Sequence, residues 1–374
     1  MKFSVSSSSL LNHLQAISRV INAKNSLPIL DCFLFDLEGN SLSLTASDSE
    51  TTLATTLEVV ECDGPCRFAA SAKTILDAIK EIPEQPLSIE INPGTLEITV
   101  LYQNGQFKMV GQNADEYPAT AALGDSSVKL SVPADILLNG VSCTLFATAE
   151  DELRPIMNGI YFDITPEELI FVASDGHKLV RCRNFNVKCG EKASFILPKK
   201  PAILLKNLLA KEQEEVVVEF DERNAVFAMS NYRMVCRLIE RRYPNYNSVI
   251  PQNNPHKLTI DRLAMLGALR RVSVCSSQAT SLIKLRLDQN LLEISAQDLD
   301  FSTSAQETLT CAYEGAPMSI GFKASFLIDI LGNLASQEVI VELADPTRAG
   351  VIVPAEQIAN GELLMLIMPL MLND

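Results

Sequence analysis

The sequence predicts an α+β protein built from three copies of one unit, each with two helices packed on short antiparallel strands. Three observations predict it. Residues 42–48, 169–175 and 292–298 share an alternating apolar pattern ending on an aspartate, and Asp48, Asp175 and Asp298 lie 127 and 123 residues apart. Lys73-Thr74-Ile75-Leu76, Lys200-Pro201-Ala202-Ile203 and Lys323-Ala324-Ser325-Phe326 recur at the same two spacings. Tyr117-Pro118, Tyr243-Pro244 and Met368-Pro369 follow at 126 and 125. A fixed period in unrelated local features marks a repeated unit.

The elements of each unit follow in order. A helix opens it, over 7–21, 134–147 and 261–272; in the first, Leu10, Leu11, Leu14, Ile17 and Ile21 recur on one face. Two strands come next, joined at Glu38-Gly39-Asn40, Thr165-Pro166-Glu167 and Asp288-Gln289-Asn290. Turn residues between alternating apolar runs signal hairpins. A second helix follows. Over 73–82 it is expected to bury Ile75, Leu76, Ile79 and Ile82, and after Pro201 to bury Leu204, Leu205, Leu208 and Leu209. Apolar strands come after it at 87–91, 216–220 and 339–343. Polar, turn-rich stretches at 125–128 and 251–255 read as linkers, giving domains 1–125, 128–251 and 254–374.

Composition excludes several classes. Hydrophobic residues are 47% and charged residues 21%, which is globular and not disordered. The longest apolar stretch, 363–372, is shorter than the ~18 residues of a membrane span and contains Pro369. Residues 1–5 lack the apolar core of a signal peptide, so a cytoplasmic location is expected. Nine cysteines, an odd count, argue against a disulfide framework. Cys62 and Cys66 lack the second pair or nearby histidine of a zinc site, so no metal and no cofactor are expected. No P-loop, dinucleotide fingerprint or nucleophile elbow is present. The net charge of −15 disfavours nucleic acid in total, but a local field depends on where the charges lie.

Met1-Lys2-Phe3 with Leu27-Pro28-Ile29-Leu30, then Ala173-Ser174-Asp175-Gly176-His177-Lys178-Leu179, Tyr243-Pro244-Asn245-Tyr246 and Met368-Pro369-Leu370 occur in an order that resembles the bacterial DNA polymerase III beta subunits, the sliding clamps. The resemblance spans the chain. It implies the DNA-clamp fold in three domains and a head-to-tail homodimer ring, helices lining the hole and sheets the rim. Such a ring encircles double-stranded DNA without reading sequence and raises polymerase processivity without catalysis.

The residues fit a ring that holds DNA loosely. That task needs sparse phosphate-seeking charges and no groove-reading element. Lys73 and Lys80 share the polar face of the second helix with Asp77, and Lys199, Lys200 and Lys206 lie on the polar side of its counterpart. Arg19, Lys24, Arg270 and Arg271 add to this, while Glu212, Glu214, Glu215 and Glu219 sit in loops and strands. The resemblance assigns DNA contact to Lys24, Lys73, Lys80, Lys199 and Lys200. Familiar members carry aromatics just before the central Asn-Gly; here Arg154-Pro155-Ile156-Met157 precedes Asn158-Gly159, and Arg154 would supply an electrostatic contact instead.

The resemblance also implies a hydrophobic pocket for short linear peptides of the replicative polymerase alpha subunit, the clamp loader, other polymerases and repair proteins. Carried over by position, its wall takes Met157, Ser174, Gly176, His177 and Leu179 from the central unit. Pro244 and Val249 come from the following segment, and Leu366, Ile367, Met368, Pro369, Leu370 and Met371 from the C-terminal end. Ser248 stands where an arginine is common, and Asn373-Asp374 extend the usual end. A methionine-rich wall can adapt to several related peptides. Phe107, Val274 and Cys275 match dimer-interface positions.

Two other functions fit parts of the sequence. Asp175 and His177 could form a carboxylate–imidazole pair of a hydrolase, although an Asp-Gly turn explains them without catalysis. An acidic interaction scaffold that never meets DNA would share the repeat, but would not need lysines on the helices' polar faces.

Overall fold

The structure, a computed structural model, describes every residue of the 374 except Asp125, Glu152, Asn373 and Asp374. The expected domain end at Asp125 and the extension Asn373-Asp374 lie outside the described residues. Among these, six α-helices form: α1 (Ser7–Ser18), α2 (Ala72–Lys80), α3 (Ala134–Leu145), α4 (Lys199–Leu209), α5 (Arg262–Ser273) and α6 (Ala324–Gly332). Short polar side chains set where three of them begin. Ser6 accepts from Ser9 N–H, Ser71 from Thr74 N–H and Asp261 from Ala264 N–H, which is N-capping. Asp261 is therefore a cap and not the first helical residue. α1 stops at Ser18, short of Ile21, because Val20 and Ile21 donate to Ile17 and Ser18, three residues back, and tighten the last turn.

The chain forms two compact units, one from residues 1–135 with 203–238, the other from 136–202 with 239–374. In the first, a five-stranded antiparallel sheet runs Glu61–Cys62, Lys2–Ser6, Pro86–Ile91, Glu97–Tyr102, Gly105–Val110. An eight-stranded sheet runs Val128–Pro133, Glu215–Phe220, Asn224–Ala228, Tyr232–Arg237, Thr51–Glu58, Ser41–Ser47, Cys32–Glu38, Cys66–Ser71. Tyr232 opposite Thr55 fixes the register where strands of different repeats meet.

In the second unit, nine strands run Ala193–Pro198, Gly159–Ile164, Leu169–Ser174, Lys178–Asn184, Gly361–Ile367, Gly350–Pro354, Glu338–Leu343, His256–Asp261, Ala312–Glu314. A four-stranded sheet runs Thr303–Thr310, Leu291–Asp298, Leu282–Asp288, Met318–Lys323. Leu179 opposite Leu366 is the corresponding junction between repeats. The units thus follow shared sheets and divide the central repeat.

Buried phenylalanines fill both cores. In the first unit the Phe35 and Phe68 rings stack at 4.8 Å; in the second, Phe162 meets Phe171 at 4.9 Å and Phe195 at 4.4 Å. Truncating such a residue costs about 3–5 kcal/mol, whereas an exposed ion pair contributes about 0.2–1 kcal/mol. The apolar alternation therefore decides the fold, and the surface charges are left for other work.

The repeat is visible in its turns. The Asp48 Oδ1 accepts from Glu50 and Thr51 N–H, Asp175 Oδ1 from His177 and Lys178 N–H, and Asp298 Oδ1 from Asp300 and Phe301 N–H. An aspartate that closes a turn on its own backbone explains the recurring spacing without chemistry. The next residue takes a left-handed conformation in the first two units, Ser49 at φ 82° and Gly176 at φ 90°, which glycine adopts without steric cost.

One polar chain in the first unit predicts a pH effect. Thr55 Oγ1 donates to the Asn231 carbonyl at 2.7 Å, so the His13 Nδ1 at 2.7 Å must donate to Thr55. Burial holds the His13 imidazole below its ordinary value of 6.5. The unfolded chain then takes up this proton first, so His13's contribution is complete above pH ~6.5 and is lost as pH falls below it. Between pH 8 and pH 5 the thermal midpoint of the wild type should drop further than that of His13→Gln. Equal drops would exclude His13 as the titrating group. Among the described residues, no helix is long and apolar enough to cross a membrane.

Candidate functional site

Most of the pocket candidates converge in the second unit. Leu179 and Leu366 pair across adjacent strands and are buried in one apolar cluster with Val172, Tyr243, Tyr246 and Ile250. Ile156 packs against the same cluster, and Met157, the next residue, is half-buried. Tyr243 stacks on Tyr161 at 4.7 Å, and Tyr246 Oη donates to Asp163 at 2.8 Å. Burial pushes both phenols up, so both stay protonated. These anchors pin residues 243–250 and leave Pro244 and Val249 at the surface, Val249 at 56% exposure.

The end of the chain completes the patch. Met368 N–H donates to the His177 carbonyl and Leu370 N–H to that of Gly321, both at 2.8 Å. Met368 and Met371 are 42% and 72% exposed, and Pro369 and Leu370 are half-buried. Ser174 Oγ donates to the Lys178 carbonyl and accepts from Gly176 N–H, bracing the turn that presents His177. Ile367 departs from expectation. It is fully buried, on the face of its strand opposite Leu366, as a period of two requires, and it offers no surface for a wall.

A charged network locks the two strands beneath. Arg183 grips Glu168 with Nε and Nη2 at 2.6 and 2.8 Å and reaches Glu362 at 2.9 Å, while Arg181 also pairs with Glu362. Burial pushes the Glu362 carboxyl up, but the two guanidiniums outweigh it and hold it below the usual carboxylate range.

The Asp175–His177 pair does not form a catalytic dyad. The Asp175 Oδ1 is occupied by backbone N–H groups, and its Oδ2 faces Lys178 Nζ at 3.2 Å. The His177 ring instead stacks on Phe326, with centroids 5.9 Å apart. The hydrolase alternative is thereby overturned; the turn accounts for both residues.

The basic candidates fall in different settings. Lys24, Lys73 and Lys80 are exposed in the first unit, the latter two on the side of α2 opposite buried Ile75 and Ile79. In the second unit Lys199 is half-buried and paired with Glu150 at 2.6 Å, and its next neighbour Lys200 is half-buried. Arg154 pairs with Asp151 at 2.9 Å. Its guanidinium also lies so close to Gly176 that a Cβ there would meet Nη1 at 2.8 Å, which places Arg154 against the turn that holds Gly176 and His177.

Two of the sheet edges bear on the interface candidates. Gly105–Val110 and Thr303–Thr310 each end a sheet and alternate half-buried and exposed residues along their length. Phe107 is half-buried on the first. Val274, 81% exposed, and half-buried Cys275 follow α5, whose Arg271 pairs with Glu307 of the second.

Sequence reasoning missed Lys178, Phe326 and Asp329. Lys178 is 6% exposed and its Nζ lies 3.2 and 3.6 Å from Asp175 and Asp329 and 4.7 Å from the Phe326 ring. The available signal was an aromatic at 326 where the repeat has Leu76 and Ile203.

Models of the DNA polymerase III beta subunit match the chain in three consecutive pieces: the N-terminal domain over residues 1–121, the central domain over 131–245 and the C-terminal domain over 247–370. The beta sliding clamp of Pseudomonas aeruginosa is 26% identical over 373 residues, and that of Synechococcus elongatus 28% over 386, with 100% of both chains covered in each case. The crystal structure of the DNA polymerase III subunit beta from Pseudomonas aeruginosa matches with a TM-score of 0.94 at 25% identity. The Bartonella birtlesii sliding clamp bound to griselimycin matches with 0.93 at 26%. Both matches cover 100% of each chain.

Proposed function

The chain belongs to the DNA polymerase III beta-subunit family, the sliding clamps, and from that premise we propose that it is a processivity factor whose two copies close into a ring around duplex DNA. The family is non-catalytic. The observation that carries the reading is the match of all three family domains, in order, across nearly the whole length.

In this reading the domains are 1–125, 128–251 and 254–374, and the protein acts in the cytoplasm. Lys24, Lys73, Lys80, Lys199 and Lys200 face phosphates without reading bases, which suits sliding. The pocket around Leu179, Leu366 and Met368 tethers the polymerase alpha subunit, the clamp loader and other polymerases and repair proteins through short apolar segments. An exposed apolar patch of this kind is typical of a partner site.

The open edges support dimerisation. An unpaired strand of exposed N–H and C=O groups invites pairing with another chain. Gly105–Val110 of one copy meeting Thr303–Thr310 of the other would close both edges and cover Phe107, Val274 and Cys275. A head-to-tail contact of this type generates a ring when its rotation closes.

The test is topological. After assembly on a nicked circle by a clamp loader, the protein should stay bound in high salt, which weakens direct charge contacts but not linkage. Linearising the circle should release it. A protein that leaves circular and linear DNA equally fast is not a ring around DNA.

A further inference from the structure

Phe326 in α6 carries two ammonium groups, Lys178 Nζ at 4.7 Å and Lys323 Nζ at 4.8 Å from the ring centroid. They differ in what neutralises them. Lys178 is buried and lies between Asp175 and Asp329. Lys323 is half-buried and, among the described residues, makes no ion pair. An ammonium has three donors, and a ring face satisfies none of them as a carboxylate would.

Lys323 also stands at the pocket. Leu370 bridges Gly321, two residues before Lys323 on the strand Met318–Lys323, so the C-terminal end runs against the strand that Lys323 closes. Met368 is tied to His177, and the His177 ring stacks on the same Phe326. Exposed methionine, imidazole and an ammonium with no ion pair among the described residues therefore share one site. The carboxylates of this cluster, Asp175 and Asp329, are engaged by Lys178. The chain's net −15 does not cancel this local charge, because exposed charges beyond about 8 Å are largely screened at physiological ionic strength.

We propose that Lys323 makes the pocket select a carboxylate-bearing peptide, an apolar segment whose acidic side chain or C-terminal carboxylate binds the Lys323 ammonium beside Phe326. The inference rests on the peptide-pocket reading above and names the ligand class of that pocket. Lys323 is the repeat counterpart of Lys73 and Lys200, which that reading gives to DNA. Phe326, in place of Leu76 and Ile203, supplies the ring that holds Lys323 beside the pocket.

The experiment uses the full chain and fluorescein-labelled octapeptides sharing a Leu-Leu-Phe core, with either Glu or Gln beside it and a free or amidated C-terminus. Anisotropy should show the carboxylate forms binding about three- to tenfold tighter, the range of one partly exposed charge-assisted bond. The advantage should vanish in Lys323→Met, reverse in Lys323→Glu and shrink in high salt. Lys323 makes no side-chain cap to α6, so the unfolding midpoint of Lys323→Met should stay near wild type. The free-versus-amidated arm separates a terminal from a side-chain carboxylate. Equal binding of acidic and neutral peptides, or a preference that survives Lys323→Met, overturns the inference and leaves the pocket standing. Failure of every peptide to bind the wild type overturns the pocket reading and the inference together. A Lys323→Met variant that loses DNA loading but keeps the peptide preference assigns Lys323 to DNA and also overturns it.

Discussion

Removing residues 368–374 is expected to abolish peptide capture while leaving the two-copy state intact. The strand before the cut is secure. Gly361–Ile367 is paired on both sides, with Lys178–Asn184 and Gly350–Pro354, and Leu363 to Ile367 are buried. What fastens the described tail is Met368 N–H on His177 and Leu370 N–H on Gly321, each contributing about 0.5–1.5 kcal/mol net. The fold should survive without them. The proposed pocket should not, because that reading makes Met368, Leu370 and Met371 its apolar surface with Pro244 and Val249. Removing the central residues of an interface typically costs about 2–4 kcal/mol, so affinity for apolar peptides should fall by at least about 30-fold. Anisotropy measures the peptide and light scattering the mass. A truncated chain that becomes monomeric would show that the tail is interfacial or core.

The repeat was legible in the sequence because its signals are local. Alternation, a Gly-Asn or Gln-Asn hairpin turn and an aspartate that folds back on its own N–H groups each act within about ten residues. Pairing between repeats was not legible. Tyr232–Arg237 finds Thr51–Glu58, and Lys178–Asn184 finds Gly361–Ile367, through registers that no local pattern encodes. The same limit governed the site. Leu179, Leu366 and Met368 come together as expected, but the strand period already turned Ile367 inward, and this could have been read in advance. Arg154 reaches Gly176 through a tertiary approach that its own sequence neighbourhood does not disclose. The Lys178–Phe326–Lys323 cluster needed three separate elements in place before it could be seen.

Reversing Lys73 and Lys80 to glutamate is expected to impair loading onto DNA at least about tenfold while leaving peptide affinity unchanged. α2 buries Ala72, Ile75 and Ile79 and turns Lys73, Asp77 and Lys80 outward. Among the described residues neither lysine makes an ion pair, so both ammoniums are available to phosphates. Reversal does more than remove them, because with Asp77 it leaves three acids on one helical face in a chain already at −15. Each phosphate deprived of its cation lowers the slope of log affinity against log salt by about 0.9, so the slope should fall by about 1.8. Lys80 also lies in the last turn of α2, where a cation complements the helix dipole by about 0.3–1 kcal/mol. Lys73→Gln alone keeps Lys80 in the last turn and so separates that stability effect from the DNA effect, and the double Gln variant removes both cations without adding repulsion. Direct binding to linear duplex at two salt concentrations and loader-dependent loading onto primed circles, set beside peptide anisotropy on the same variants, read both sites at once. If DNA loading and peptide binding fall together, the damage is to the fold, and these lysines lose their assignment to the duplex.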